Sequence, residues 1–276
     1  MDQLVKQQIT NTEKRFSIIT AAYNIENYIE RAIESVECQT FKDYELIIVN
    51  DCSTDNTGNV VKEAMKKYDN IVYLEHAENK RLGAARNTAL AVAKGEYILF
   101  LDGDDCLASE DVLEKLDKVI GQDKTDVIYL GFKVVGDREE LVIPSEETCT
   151  KTYKAAMDKY PNVWSKAWRK EFLDENNMRF PEYRFYEDVL FVYKGVMKSK
   201  SSKIADFVTH KYTSGRKGSI TTKVNLKNVE DTILNLKELV SMRETEYTEE
   251  IDIIIKKEIR MCKKRLDDTF SFLNHK

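Results

Sequence analysis

The sequence predicts an α/β protein, a mostly parallel sheet flanked by helices, followed by a C-terminal helical hairpin. Short apolar runs alternate with helix-period segments over roughly the first hundred residues. One run, Tyr97-Ile98-Leu99-Phe100-Leu101, passes without a break into Asp102-Gly103-Asp104-Asp105. The last part of the chain carries apolar residues every three or four positions. The run at 97–101 is short and rich in aromatic and branched residues, which suits a strand buried on both faces. Such a strand cannot keep bare acids in its interior. The three carboxylates therefore lie past its end, where open parallel sheets bind ligands. Asp102 and Asp104 could hold a hard divalent cation, with Gly103 letting the backbone turn between them. An ordinary polar turn is the alternative, since Asp and Gly are common turn residues.

Taken in order, Phe16-Ser17-Ile18-Ile19 is the first strand. Asn24 can cap a helix from about Glu26 to Cys38, on which Ile29, Ala32, Ile33 and Val36 recur at helical spacing. Glu45 to Val49 is a second buried strand, and the polar cluster Asn50 to Thr57 after it is a loop that also caps a helix to about Tyr68. Ile71 to Leu74 is a third strand, and a helix from about Gly83 to Lys94 leads into the strand at 97–101. The polar turns after Ile19, Val49 and Leu101 should then converge on one sheet edge. Ser109 can cap another helix, with Glu110 and Asp111 in its first turn. Asp126 to Phe132 and Ser202 to Tyr212 read as strands, and Lys170 to Asn176 and Glu187 to Lys198 as helices. Between Val134 and Pro181 the pattern is mixed.

In the tail, Leu226, Val229, Ile233, Leu236 and Val240 form one apolar seam, and Ile251, Ile255, Ile259, Cys262, Leu266, Phe270 and Leu273 form a second. Two such helices predict an αα-hairpin whose seams pack on the main domain. A subunit interface, making a homodimer, is the next reading. Seven basic against three acidic residues over 256–276 add peripheral membrane contact as a third.

Composition narrows the function classes. The net charge of −5 argues against a nucleic-acid partner. Five scattered cysteines without a C-x-x-C pair suggest neither a disulfide framework nor a zinc site, and point to a reducing compartment such as the cytoplasm. The polar start lacks the apolar core of a signal peptide, and no apolar run approaches the ~20 residues that span a bilayer. No Gly-rich phosphate loop is present. Acids at a strand end can still hold a diphosphate through a bridging cation, leaving Asp51 to accept hydrogen bonds from a base or ribose.

Four ordered blocks carry a resemblance. They are Ser17-Ile18-Ile19-Thr20-Ala21-Ala22-Tyr23-Asn24 with Ser35 to Thr40, then Glu45 to Asp55, then Asn79 to Asn87, then Gly95 to Asp105 with its D-x-D. Over residues 16–106 the sequence resembles the GT-A fold glycosyltransferases of family 2. The resemblance implies that Asp51 contacts the nucleobase, most often uracil. Ala22 and Asn24 would line the nucleotide pocket, and Arg86 would lie near the diphosphate or sugar. Asp102 would face the ribose or sugar, and Asp104 would be the main ligand of Mn²⁺ or Mg²⁺. The chain departs from the family at Ala21, usually Pro, at Asn50, usually Asp, and at Cys52 and Arg81, both usually Gly.

Farther along, Phe185-Tyr186-Glu187-Asp188 is similar to the family's E-D segment, which implies Asp188 as catalytic base with Glu187 beside it. Local physics offers another reading, acids favoured in a helix's first turn. Adjacent helical residues point ~100° apart, so the two acids cannot both aim at one hydroxyl. Tyr212 to Ile220 resembles a late segment that folds over the donor, with Arg216 and Lys217 facing the diphosphate. His76 and His210 read as fillers, and Trp164 and Trp168 as core residues, with stacking on an acceptor sugar the alternative for the tryptophans.

The resemblance divides the chain into a GT-A domain over 1–221 and a helical extension over 222–276, the domain having a nucleotide-sugar half near 14–106 and an acceptor half near 107–221. It implies an inverting transferase, using a nucleotide-diphosphate sugar and a saccharide or lipid-linked acceptor, in cell-surface polysaccharide synthesis. It would work in the cytoplasm or at the inner membrane face. A metal-dependent phosphohydrolase and a non-catalytic sugar-nucleotide binder are the rival readings.

Overall fold

A computed structural model describes residues 14–145, 161–215, 226–245 and 249–274. Its sheet begins with four parallel strands: β1 (Lys14–Ala22), β2 (Tyr44–Asn50), β3 (Ile71–Glu75) and β4 (Gly95–Phe100), in the order β3-β2-β1-β4. Helices α1 (Ile29–Glu37), α2 (Thr57–Ala64) and α3 (Arg81–Val92) make the crossovers. β1, β2 and β4 are almost wholly buried, as their apolar runs require, while β3 at the sheet edge is half-buried. Ile18, Leu46, Ile48, Tyr97 and Leu99 join the core under α1 and α2, while Ile19, Ile47, Val49, Ile98 and Phe100 join the core under α3. Register aligns Ala22 with Asn50 and Ile19 with Phe100, so β1, β2 and β4 end on one edge.

Beyond β4 the sheet turns mixed. After β5 (Cys106–Leu107) and α4 (Val112–Ile120) come β6 (Val127–Val135), β7 (Glu140–Val142), β8 (Lys166–Arg169) and β9 (Ser202–Thr213). β8 runs antiparallel between β4 and β6, and β9 runs parallel to β6. A nine-stranded sheet thus runs through both halves of the chain. Helices α5 (Lys170–Glu175) and α6 (Glu187–Lys198) cover the α3 face with α7 (Leu226–Thr245) and α8 (Glu249–Asn274) behind them. Trp164 and Trp168 are core residues, with Trp164 stacked on Tyr212 and Trp168 edge-on to Phe191.

Three local expectations are corrected. Asn24 does not cap α1, whose first residue is Ile29. It takes a left-handed φ of 50° and accepts from the Thr54 N–H at 2.8 Å, tying the loop after β1 to the loop after β2. Ser109 does not cap α4 either; its hydroxyl donates to Asp111 at 2.6 Å. Gly103 is required for room, since a Cβ there would lie 2.3 Å from Ile25 Cδ1.

The tail seam is also turned. Leu226, Ile233 and Val240 are 55%, 40% and 41% exposed. The buried face of α7 instead carries Asn228, Val229, Asp231, Thr232, Asn235 and Leu239. Asn228, Asp231 and Asn235 have partners on the segment leading into α6, and Thr232 pairs with the Asn228 carbonyl and Arg265, which reduces the usual penalty for burying them. Leu239 and Ile254 do join the core beneath α6, so the hairpin packs on the main domain as expected.

Candidate active site

The common edge of β1, β2 and β4 brings the predicted loops together. Asp51 donates its N–H to the Ala22 carbonyl at 2.8 Å. The two loops are laced further by the Asn24 N–H to Ser53 Oγ at 3.1 Å and the Ile25 N–H to Thr57 Oγ1 at 2.9 Å. Ala22 and Asn24 therefore sit at the mouth of the loop that carries Asp51. One carboxylate oxygen of Asp51 accepts from the Lys80 N–H at 2.8 Å and from His76 Nδ1 at 2.7 Å. His76 Nε2 in turn lies 2.9 Å from Thr88 Oγ1. His76, read from sequence as a filler, is thus what orients Asp51. The signal for it was faint, a lone His just past β3.

The departures from the family pattern have local accounts. Asn50 donates to Tyr73 at 2.9 Å and to Glu75 at 3.2 Å, and an Asp there would face the Glu75 carboxylate instead. Cys52 and Arg81 stand at φ 60° and 69°, a region where Gly is free of strain and other residues are not. The Arg81 guanidinium lies over the Phe185 ring at 4.4 Å.

Past β4, Asp102, Asp104 and Asp105 crowd into one turn. The Thr213 hydroxyl donates to the Asp104 carbonyl at 2.8 Å, and the Thr213 N–H donates to Asp105 at 2.7 Å. Arg31 also reaches the Asp104 carbonyl. Burial, and then the charges of Asp102 and Asp104, push the Asp105 carboxyl up to about 9. Asp102 and Asp104 are hard oxygen donors, the kind Mg²⁺ and Mn²⁺ take. Such ions are commonly held by one or two carboxylates plus substrate phosphates. Among the described residues no group of three or more His, Cys, Asp or Glu side chains forms a complete cage. The donor set suits an ion completed by a diphosphate.

Arg86 is buried at 3% exposure and bridges two acids. Its guanidinium donates to Asp102 at 2.8 Å and to Glu187 at 2.6 Å, over the rings of Phe180 and Phe100. Arg86, expected near the diphosphate or sugar, lies between the end of β4 and the start of α6. Gly83 lets this happen, because a Cβ there would stand 2.2 Å from the Pro181 carbonyl oxygen. Glu187 is buried, and burial outweighs Arg86 to raise its carboxyl to about 7. Asp188 is half-buried, accepts from the Val189 N–H at 2.9 Å, and is also raised, by burial first. The two acids do diverge: Glu187 pairs with Arg86, while the Asp188 carboxylate accepts from the Val189 N–H. His210 is fully buried against the Phe100 carbonyl, and burial lowers it to about 4, so it stays neutral. Arg216 and Lys217 lie outside the described residues.

The family described as Glycosyl transferase family 2 matches residues 17–194, more than half of the chain. This chain belongs to glycosyltransferase family 2. Among its relatives, the Bacillus subtilis protein described as uncharacterized glycosyltransferase EpsJ is 33% identical over 202 residues, covering 69% of this chain and 58% of that one. The poly(ribitol-phosphate) beta-N-acetylglucosaminyltransferase TarS of Staphylococcus aureus is 30% identical over 208 residues, 74% of this chain and 36% of that one. The chain thus spans less than two thirds of these relatives. A crystal structure of residues 1–349 of S. aureus TarS, in complex with UDP-GlcNAc, superposes with a TM-score of 0.73 at 25% identity, over 87% of this chain and 70% of that one. A Pyrobaculum calidifontis mannosyltransferase, in complex with GDP-Man and Mn²⁺, shares the fold at a TM-score of 0.64 and 18% identity, over 90% of this chain and 69% of that one.

Proposed function

We propose that the chain is an inverting glycosyltransferase moving a hexose or N-acetylhexosamine from a UDP-sugar to a saccharide or lipid-linked saccharide in cell-surface polysaccharide synthesis. The observation that carries this reading is the meeting, on one sheet edge, of Asp51, the Asp102–Asp104 turn and the Arg86-bridged Glu187–Asp188 pair. The TarS–UDP-GlcNAc complex supports the donor, and relatives named for glycosylating poly(ribitol-phosphate) support a role in cell-surface polymer synthesis.

Asp51, held by His76 and the Lys80 N–H, keeps its second oxygen for the nucleobase. Ala22 and Asn24 line that pocket. Asp104 and Asp102 would hold Mn²⁺ or Mg²⁺, which supplies neutralising charge to the departing diphosphate. Asp188 takes the proton from the acceptor hydroxyl, and that oxygen attacks the anomeric carbon opposite the leaving group, inverting it in one displacement. A raised Asp188 carboxyl is a stronger base than an ordinary one. Glu187 and Arg86 fix the helix start against Asp102. Arg216, on the late segment, would add a cation over the donor.

The nucleotide-sugar half is 14–106, the acceptor half 107–221 and the helical extension 222–276. Among the described residues no helix is long and apolar enough to cross a membrane. We place the protein in the cytoplasm, at the inner membrane face when the acceptor is lipid-linked. The exposed Leu226, Ile233 and Val240 mark where a second subunit or a membrane surface would meet it. A panel of UDP- and GDP-sugars with Mn²⁺, scored for transfer and for slow donor hydrolysis, tests the reading. Turnover of at least one UDP-sugar is expected. Tight binding with no turnover of any donor would contradict it.

A further inference from the structure

The C-terminal hairpin buries a polar face where an apolar one was expected. Asp231 is 0% exposed, and Asn228, Thr232 and Asn235 are nearly so. Asn228, Asp231 and Asn235 find partners on the two residues before Glu187. Asp231 Oδ2 accepts from the Phe185 N–H at 3.0 Å. Asn235 Nδ2 donates to the Tyr186 carbonyl at 3.0 Å and also contacts the Phe185 carbonyl. Asn228 Nδ2 donates to the Tyr186 hydroxyl at 3.1 Å, and the Arg265 guanidinium sits 3.6 Å from the centre of the Tyr186 ring. Arg184, one residue earlier still, pairs with Glu238.

Tyr186 itself is left-handed, at φ 58° and ψ 35°. A large L-residue adopts that conformation only when its surroundings over-determine it. Here the carbonyl, the hydroxyl and the ring are each held from α7 or α8. Asp231 reaches the other side of the site too. It lies 3.5 Å from Arg81, which opens α3, and 2.8 Å from Lys227. One turn farther along α3, Arg86 meets Glu187. A single buried carboxylate therefore links the start of the helix bearing Arg86 to the entry of the helix bearing Glu187 and Asp188.

The geometry points to Asp231 and Asn235 as positioning residues for transfer: they hold Phe185 and Tyr186 so that Glu187 meets Arg86 and Asp188 faces the acceptor. This rests on the transferase reading above. Buried polar clusters of this kind add little stability compared with apolar packing, and what they fix is geometry. Leu239 and Ile254 of the same hairpin already supply apolar packing. The polar cluster lies over the one segment where orientation matters to the reaction.

The test compares Asp231→Ala and Asn235→Ala with Leu116→Ala, in the full chain, by melting temperature and by kcat and KM for the UDP-sugar the wild type uses. Leu116 is buried on α4, away from the site, so its truncation reports stability alone. Both hairpin variants should lose at least about tenfold in kcat with KM for donor within about twofold, because the deficit lies in the transition state. Leu116→Ala should melt earlier with kcat nearly unchanged. If Asp231→Ala does not fold, Asn235→Ala carries the same comparison. Unchanged kcat in the hairpin variants overturns the inference, as do losses that merely track melting temperature in all three. A wild type that turns over no donor overturns the transferase reading and this inference together; a wild type that turns over with variants equal to it overturns this inference alone.

Discussion

Arg86 keeps its charge in the interior because two carboxylates reach it from different elements. Breaking a buried pair by removing one partner costs about 3–5 kcal/mol, since the other charge is left unpaired. Arg86→Ala should therefore lower the melting temperature on the order of 10 °C. Arg86→Lys should lose less, because a single ammonium keeps the charge but cannot fork between Asp102 and Glu187. Thermal denaturation followed by circular dichroism checks both. Glu187 makes a pH prediction at the same scale. Its carboxyl is raised from 4.5 to about 7, so across that window the folded state holds a proton that the unfolded state has released. The unfolded state binds fewer protons there, so stability falls as pH rises from 4.5 to about 7. Asp188 is shifted in the same direction, and the two titrate as a pair. In the proposed mechanism turnover needs Asp188 deprotonated, and its carboxyl is raised by burial, so kcat should rise with pH as melting temperature drops. A kcat that does not rise with pH would contradict this assignment.

Among the elements, the parallel strands were plain in the sequence and the tail helices misleading, for one physical reason. β2 and β4 are buried from Leu46 to Asn50 and from Tyr97 to Phe100, so their apolar runs there are unbroken and end where Asn50-Asp51 and Asp102 follow. Helix α7 buries Asp231, Thr232 and Asn235 because each has a partner, so Leu226, Ile233 and Val240 of its apolar period face outward while Val229 stays inside. Contacts between distant positions leave no local trace either: Arg86 and Glu187 are 101 residues apart. His76 is a further case, 25 residues from Asp51 with nothing in its neighbours to announce the bond. The turned helix has a direct consequence. Leu239→Asp should cost several kcal/mol, roughly the penalty of an unpaired charge in an apolar site. Ile233→Asp, six residues earlier but exposed, should leave the melting temperature within about 2 °C. Denaturation of the two variants side by side decides which face of α7 is inward, and equal losses would contradict the described orientation.

At the scale of the whole molecule, one sheet edge gathers Asp51, the acidic turn and the Glu187–Asp188 pair from three stretches of chain. The acidic turn predicts metal-dependent donor binding. UDP should bind much more weakly in EDTA than in Mn²⁺, and Asp104→Asn should narrow that difference, because the site loses one charged ligand. Calorimetric titration reads both, and equal affinity with and without metal would remove Asp104 from that role. In the proposed mechanism Asp188, rather than its buried neighbour, takes the acceptor's proton. The most direct measurement is the steady-state kinetics of Asp188→Asn with the donor that the wild type uses. The amide keeps the size of the carboxylate but cannot accept the proton. The kcat should fall by about 10²–10⁴-fold, with KM for donor near the wild-type value. Transfer by Asp188→Asn at close to the wild-type rate would contradict that role, above all if Glu187→Gln were dead.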